Sequence, residues 1–408
     1  MERYSQFGTY IKYKVFDEFL SVYENRYDRK VKTLHIFVDL QNCLKGQYYE
    51  DFILETYNGV VNKEKYSPIV YDTINFMSRT RSYFALKNIE TKFIIYWDSG
   101  KSLYHTSIDK NYKSGRGVSS TTLPIEVFRT GLDAIKFQKK LLNKIANQLN
   151  GVHVVFLENI ETDFVPHSIL RTHKNLIEDK SNLNLLLSAD KDLFQTVLLG
   201  DNVFQYVKIN SNWVDIISKN KVVSNLIKKS YGAELSDYFM VLFTLGGDGG
   251  DDIPSVIPRK RYLSLYSFVR EYKDELKSFI NDLIYTKQFK ILDISKATGP
   301  QKKIVSLLNN DESIRERWID NYFLMSFDIL HEFINNKVNY TKLKHLTSDY
   351  KTKINKAIIE VFDNTDSISF NELQSIMEYC HNMESIDSSC INLCKENMKN
   401  NVDQGQSS

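Results

Sequence analysis

Carboxylates concentrate at a few points of this 408-residue chain, above all in the glycine-rich turn within 243–256, FTLGGDGGDDIPSV. Acids packed this closely repel one another unless a cation lies among them. Carboxylate oxygens, with no Cys or His nearby at zinc spacing, favour Mg²⁺ or Mn²⁺. Eight acids are too many for one ion and suit a pair, an arrangement that supports phosphodiester hydrolysis. The eight candidate metal ligands are Asp39, Asp98, Glu161, Asp163, Asp190, Asp192, Asp248 and Asp251.

Most of these acids follow short apolar segments with the composition of buried strands. The predicted strands span 33–38, 92–97, 152–157 and 184–187, with a fifth at 203–209. Helices predicted at 67–88 and 132–150, the second ended by Gly151, alternate with them. This alternation implies a mostly parallel sheet covered on both faces, with a ligand site beyond the carboxyl ends of the strands. One acid after a strand is usually a helix N-cap, but four that converge on one edge indicate a site.

The composition is that of an ordinary soluble globular protein, with 42% hydrophobic and 25% charged residues. Because the net charge is only +2, affinity for polyanions would have to come from local basic patches. No segment approaches the roughly 20 apolar residues of a membrane helix, and the N-terminus lacks the apolar run of a secretory signal. Four cysteines give no disulfide framework at this length. We therefore expect a cytoplasmic protein with no membrane partner.

Five motifs occur in a specific order along the chain. They are Asp39 after a strand, YKSGR at 112–116, ETD at 161–163, SADKDL at 188–193 and GDGGDDIP at 247–254. Together they resemble the structure-specific 5′-nuclease family, which includes flap endonucleases, the 5′ nuclease domains of bacterial DNA polymerases and phage 5′→3′ exonucleases. The resemblance covers about residues 31–262. It implies metal-dependent hydrolysis of phosphodiesters near DNA 5′ ends.

The resemblance also implies a domain organisation. The expected fold is α/β, with a PIN-like (Rossmann-like), mostly parallel sheet flanked by helices, then a helix-hairpin-helix module and an all-α C-terminal region. Within the PIN-like domain, a gateway segment at about 101–130 is expected to be mobile until a single strand threads it. The predicted boundaries are a helical N-terminal extension at 1–30, the PIN-like catalytic domain at 31–236, the helix-hairpin-helix module at 237–300, the helical region at 301–395 and a disordered tail at 396–408.

Residue roles follow from the resemblance. It implies that Asp192, Asp248 and Asp251 hold the second ion, and that Lys113 and Arg116 form the basic pair that steadies the scissile phosphate. Tyr112 is expected to stack on a terminal base. The ligands implied for the first ion are Asp39, Asp98, Glu161, Asp163 and Asp190. Asp190, Lys113 and Arg116 are the predicted catalytic residues.

The sequence departs from the family pattern at two points. Phe164 stands where the family usually has a further acid, and Glu158 is the expected compensation. The hairpin continues as SVIPRKR at 255–261, without the usual glycines. A similarly glycine-poor version in the T-even phage ribonuclease H favours a role in phage replication, in the cytoplasm of the host. Arg259, Lys260 and Arg261 are therefore expected to neutralise duplex phosphates, unless they are only a basic surface helix start.

The predicted function is that of a metal-dependent 5′ nuclease, a 5′→3′ exonuclease or flap endonuclease, with two Mg²⁺ ions that Mn²⁺ can replace. Its expected partner is DNA with a 5′ flap, a nick or an RNA–DNA hybrid, bound by a monomer in replication or repair. Residues 301–395 have no predicted chemistry and are expected to dock replication proteins. Two alternatives stay open: a PIN-type endoribonuclease, and a non-catalytic DNA-binding replication scaffold.

Other signals are weaker. The run SGKS at 99–102 lacks the first glycine of a P-loop, because Ile95 occupies that position. The spacing of the C-terminal cysteines fits no standard zinc finger. His167 and His173 are expected to be structural. The lysines at 219, 221, 228 and 229 form a basic stretch that is either a solvated surface or a DNA-binding stripe.

Overall fold

A six-stranded sheet organises the N-terminal half of the protein. The computed structural model describes residues 11–43, 58, 68–114, 125–209, 213–227, 233–257 and 262–361. The strands are β1 (Thr33–Asp39), β2 (Glu90–Ser99), β3 (Val152–Glu158), β4 (Asn182–Leu187), β5 (Val203–Lys208) and β6 (Val214–Ile217).

The strand order is β3-β2-β1-β4-β5-β6. All neighbouring pairs are parallel except β5 and β6, which are antiparallel. The chain therefore extends the sheet to one side of β1 with β2 and β3, and to the other side with β4 and β5. The strand order reverses between β1 and β4, where parallel sheets place their ligands beyond the strand ends. The predicted mostly parallel α/β fold is confirmed.

Helices cover both faces of the sheet. The first face carries α1 (Tyr13–Tyr27), α3 (Pro68–Ala85) and α5 (Ile125–Ala146), whose apolar side chains share one core with Ile36 and Val38 of β1. The opposite face carries the later helices, which share a second core with Phe37. Neighbouring residues of β1 thus point into different cores, as side-chain alternation along a strand requires. Burial on both faces explains the nearly continuous apolar sequence of this strand.

The observed bounds of two helices differ from the sequence prediction: α3 spans Pro68–Ala85 rather than 67–88, and α5 spans Ile125–Ala146 rather than 132–150. Gly151 has φ of +68° and opens the turn into β3 instead of ending a helix.

Several short helices join the strands. They are α2 (Leu40–Cys43), α4 (Leu103–Ile108), α6 (Val165–Thr172), α7 (Asn175–Glu178) and α8 (Phe194–Val197).

Beyond residue 218 the described residues form helices, turns and loops. Their packing continues the second core without a break from the sheet to Val361. The helices are α9 (Val222–Ile227), α10 (Phe239–Gly246), α11 (Tyr262–Glu271), α12 (Lys273–Asn281), α13 (Pro300–Asn310), α14 (Glu312–Met325), α15 (Phe327–Ile334) and α16 (Ser348–Ile359). None of the described helices has both the length and the apolar composition that a bilayer crossing requires. The domain boundaries stay predictions.

Candidate metal centre

Seven of the eight predicted carboxylates line one cavity at the carboxyl edge of the sheet. The cavity has a volume of about 210 Å³. Asp39 ends β1, Asp98 lies near the end of β2, and Asp190 follows β4, so parallel strands bring these three acids together. The remaining lining carboxylates are Asp163, Asp192, Asp248 and Asp251. The structure thus assembles acids from five separate segments of the chain.

Two of the strand-end acids are fixed by hydrogen bonds. Asp39 accepts one from the backbone N–H of Asn42 at 2.8 Å and one from the Ser188 hydroxyl at 2.7 Å. Asp98 accepts from both the backbone N–H and the hydroxyl of Thr162, at 2.8 and 3.1 Å. Because these donors orient the carboxylates without neutralising them, negative charge still faces the cavity.

Burial and mutual repulsion oppose ionisation of this group. Burial raises the pKa of Asp39 to about 6, although the Asn42 and Ser188 hydrogen bonds act in the opposite direction. Burial, followed by the charge of Asp98, raises the pKa of Asp163 well above its usual range. The pKa of Asp192 is raised in the same way, by burial and then by Asp190. A divalent cation would reverse this tendency, because it stabilises the ionised form of every carboxylate around it.

The turn after α10 supplies Asp248 and Asp251. The backbone N–H groups of Asp248 and Ile253 bond to each other's carbonyl oxygens, at 3.0 and 2.8 Å, and so close the turn. Gly247 precedes it with φ of +63°, and a Cβ at that position would come within 2.6 Å of the Pro254 carbonyl oxygen. This tight backbone explains why the sequence is glycine-rich here.

Asp192 meets the two aspartates of this turn. One carboxylate oxygen from each of Asp192, Asp248 and Asp251 lies within 4.8 Å of the others. The Oδ1 atom of Asp192 is buried and has no hydrogen-bond partner among the described residues. An orphaned, buried carboxylate oxygen beside two further carboxylates fits a divalent cation, since a buried charge otherwise lacks compensation. These three residues are the set that the family resemblance implied for the second ion.

Glu161 lies beside the cavity and is joined to the predicted gateway residues. The Lys113 Nζ lies 2.8 Å from Glu161 Oε1 and 3.5 Å from Asp251 Oδ2. Burial alone would raise the pKa of Glu161, but the nearby His105 and Lys113 outweigh it and the pKa is lowered. Lys113 also lines the cavity, with φ of +54° and its backbone N–H bonded to the Asp251 carbonyl. The structure therefore brings Lys113 to the acids, and its predicted role at the scissile phosphate stays a prediction.

Tyr112 contacts two of the same carboxylates. Its ring is buried and stacked on His105, with ring centres 4.6 Å apart. Its hydroxyl donates to Glu161 at 2.8 Å and to Asp251 at 3.3 Å. In this conformation the ring is buried and the hydroxyl orients two carboxylates, and base stacking by Tyr112 stays a prediction. The signal that could have shown this is the apolar and aromatic run LYHTSI before it, which forms α4 and packs His105 inside.

Several residues at the site were not predicted from the sequence. Lys191 lies 2.6 Å from Asp248 Oδ2. Gln41 lines the cavity, and the buried Lys139 donates to its side-chain oxygen at 2.7 Å. Burial lowers the pKa of Lys139 to about 8, although Asp98 and Asp39 act to raise it. Gln205 donates to the Ser188 and Asp190 carbonyls at 2.8 and 2.7 Å and so fixes the loop after β4.

Some predicted residues lie elsewhere or are not described. Glu158 is exposed and does not line the cavity, so it does not supply the expected compensation for Phe164, which is buried. His167 is buried and bonds to Asp328 at 3.0 Å, and His173 bonds to the Ile358 carbonyl at 3.1 Å, in line with structural roles. Outside the described residues lie Arg116 with gateway residues 115–124, Arg259, Lys260 and Arg261, Lys228 and Lys229, and the segment 362–408 with its cysteines.

The strand order and the acidic edge define an α/β protein with a candidate metal centre at the carboxyl ends of its parallel strands. No protein-family model matches the chain. In sequence it is similar to a 5′-3′ exonuclease of Buchnera aphidicola subsp. Schizaphis graminum, with 28% identity over 211 residues. That match covers 51% of this chain and spans 61% of the length of the relative.

Solved structures of bacteriophage T5 proteins share the fold. The T5 protein co-crystallised with metal ions has a TM-score of 0.51 and 17% identity, and the match covers 81% of this chain and 99% of that one. The T5 flap endonuclease in complex with DNA and metal ions has a TM-score of 0.50 and 18% identity, with the same coverage. The predicted resemblance to structure-specific 5′ nucleases is therefore confirmed in sequence similarity and in fold.

Proposed function

We propose that this protein is a divalent-metal-dependent 5′ nuclease that hydrolyses phosphodiesters near the 5′ ends of DNA. The observation that carries the proposal is the single cavity in which seven carboxylates meet the ammonium group of Lys113. Crowded carboxylates can bind cations, and the ammonium group of a lysine among them can bind a phosphate. A site with both features fits the hydrolysis of a charged phosphodiester backbone better than any uncharged substrate.

The acids divide into two proposed ligand sets. Asp39, Asp98, Asp163 and Asp190 would hold a first ion, with Glu161 at their border. Asp192, Asp248 and Asp251 would hold a second. When bound, Mg²⁺, or Mn²⁺ in its place, neutralises the carboxylates and the phosphate and makes a nearby water easier to deprotonate. The orphaned oxygen of Asp192 and the raised pKa values of Asp163 and Asp192 support this assignment.

The chain's own side chains then bind and orient the substrate. Lys113 is held by Glu161 and Asp251 at the wall of the cavity, where its ammonium group would contact the scissile phosphate. Arg116 is proposed as its partner in the gateway. Tyr112 keeps Glu161 and Asp251 in place through its hydroxyl. The three basic residues at 259–261 are proposed to bind duplex phosphates without reading sequence.

The proposed substrates are DNA with a 5′ flap, a nick or an RNA–DNA hybrid. The similarity to a 5′-3′ exonuclease and to the T5 flap endonuclease fold supports this class. The domain boundaries given above, including the helix-hairpin-helix module at 237–300, are proposed on the same basis. Docking of replication proteins by residues 301–395 is a further part of the proposal.

The proposal is tested with a panel of 5′-labelled substrates: flap, nicked, hybrid and single-stranded, each with and without Mg²⁺. We expect Mg²⁺-dependent release of short 5′ products from at least one branched or nicked substrate. Asp190→Asn should abolish cleavage and leave DNA binding intact. The matched control is Asp201→Asn, an exposed aspartate outside the cavity, which should cleave like the wild type. Undiminished turnover by Asp190→Asn, or cleavage without any divalent ion, would contradict the metal assignment.

A further inference from the structure

Lys191 stands between two proposed metal ligands in sequence and contacts a third in space. It begins the short 3₁₀ turn Lys191–Leu193, which Asp190 caps by accepting a hydrogen bond from the backbone N–H of Asp192. Its Nζ lies 2.6 Å from Asp248 Oδ2 and 5.7 Å from the centre of the Phe243 ring. The side chain is 43% exposed and lines the cavity.

The contact with Lys191 engages Oδ2 of Asp248, so a cation at this oxygen would compete with the ammonium group for it. The other oxygen, Oδ1, accepts a hydrogen bond from the Gly250 N–H at 2.9 Å. A second ammonium group, Lys113 Nζ, lies 3.5 Å from Asp251 Oδ2. Two ammonium groups therefore partly neutralise the three carboxylates.

The two lysines differ in how firmly they are held. Lys113 is 19% exposed, binds Glu161 as well as Asp251, and is anchored by its backbone. Lys191 is more exposed, and within the described part of the chain its ion pair is with Asp248. Because the Lys191 side chain is 43% exposed, water can solvate its ammonium group when the pair opens, and a cation would compensate the buried Asp248 carboxylate in its place. Lys191 is therefore the ammonium group that can leave when a divalent ion arrives.

We propose that Lys191 is a built-in counter-ion of the Asp192, Asp248 and Asp251 site, which a divalent cation must displace from Asp248. The inference rests on the proposed function, because it assumes that the three aspartates bind an ion. Displacement makes the second ion bind more weakly than the three carboxylates alone would allow.

The test is a Mn²⁺ titration of the full chain, with free Mn²⁺ followed by electron paramagnetic resonance. Lys191→Met should bind the second Mn²⁺ at least fivefold more tightly than the wild type, and Lys191→Arg should bind it like the wild type. Lys191→Gln serves as a second neutral variant in case the methionine variant folds poorly. The matched control is Lys296→Met, which removes another half-exposed lysine from an ion pair of 2.8 Å, with Glu275, far from the cavity.

The Asp192→Asn variant tests whether the effect of Lys191→Met on Mn²⁺ affinity arises at the second ion site. In that background Lys191→Met should no longer change Mn²⁺ affinity. A gain of the same size there, or no gain in the wild-type background, would overturn the counter-ion role while leaving the metal centre intact. Absence of Mn²⁺ binding by every protein, wild type included, would instead overturn the metal centre and the proposed function with it.

Discussion

The side-chain amide of Asn321 donates a hydrogen bond of 2.8 Å to the backbone carbonyl of Pro254. The same amide donates to the Thr244 carbonyl at 2.9 Å, and Trp318 donates to the Thr244 hydroxyl at 2.9 Å. Thr244 and Pro254 lie on either side of the aspartate turn. Helix α14, in the region to which the sequence assigned no chemistry, thus clamps both ends of the turn that carries Asp248 and Asp251.

Asn321→Ala should loosen that turn. Asn321 is buried, so its removal leaves two carbonyl groups without a donor and should destabilise the protein by about 2 kcal/mol. Urea unfolding measures the loss, and Mn²⁺ titration should show weaker binding as the two aspartates lose their fixed spacing. The control is Asn310→Ala, an asparagine near the surface whose amide bonds to the Ser306 carbonyl within α13. Wild-type metal affinity in Asn321→Ala would show that the clamp serves stability alone.

Asp192→Asn should show two effects separately: how far repulsion among the carboxylates lowers stability, and how far Asp192 contributes to metal binding. The substitution removes one of three close carboxylates, so the metal-free protein should become more stable, by about 1 kcal/mol. Mg²⁺ or Mn²⁺ should raise the melting temperature of the wild type but raise that of the variant much less. Asp252→Asn, an exposed aspartate in the same turn, is the control. Equal metal-induced shifts in both proteins would remove Asp192 from the ligand set.

Protonation of His35, which does not line the acidic cavity, should make the stability of the folded protein depend on pH. Burial, and then the Lys92 charge on the neighbouring strand, lowers its pKa to about 3, whereas the unfolded chain has an ordinary histidine. Because the unfolded state binds the proton more readily, stability is full above about pH 6.5 and falls as the pH decreases toward 3. Between pH 7 and pH 5 the loss should be about 2 kcal/mol.

Urea unfolding at the two pH values tests this. His35→Gln should lose less stability than the wild type between pH 7 and pH 5, whatever its stability at pH 7. His345→Gln, an exposed histidine, should behave like the wild type. Identical pH dependence in wild type and His35→Gln would mean that His35 is not the group that titrates.

Lys113→Met should slow the proposed cleavage more than it weakens DNA binding. The lysine faces the cavity, and the loss of a positive charge that contacts the reacting phosphate costs roughly 100-fold in rate. Single-turnover cleavage and equilibrium binding to a flap substrate separate the two effects. Lys110→Ala removes an exposed lysine from the same loop and should change neither by much. A change confined to affinity would contradict the proposed contact with the scissile phosphate.

The fold could be predicted because buried parallel strands have a distinctive sequence. Residues 33–38 are apolar enough to fill two cores, and an acid follows directly, so both the strand and its functional end were visible. Strand β6 was missed because it has only four residues and includes Asp215, which pairs with Lys221 near the surface. An edge strand of that length has no sustained alternation to detect.

The strand-end acids of the site were predictable for the same reason, since parallel topology brings carboxyl ends together. The residues that support the site from distant parts of the chain were not predictable from the sequence. Asn321 lies 67 residues from Pro254, and Trp318 lies 74 residues from Thr244, so neither contact leaves a local pattern. Lys191 was visible within DKDL, but no local pattern indicated that its amine would reach Asp248. Such contacts depend on how the helices pack, which the order of motifs does not specify.

The central claim is that the acidic cavity at the carboxyl edge of the sheet binds divalent cations. Crystals of the full chain soaked in Mn²⁺ test it most directly, by anomalous diffraction at the manganese absorption edge. We predict anomalous peaks inside the cavity, one in contact with Asp192, Asp248 and Asp251 and one among Asp39, Asp98, Asp163 and Asp190. A cavity without anomalous density at saturating Mn²⁺, with the carboxylates intact around it, would contradict the account.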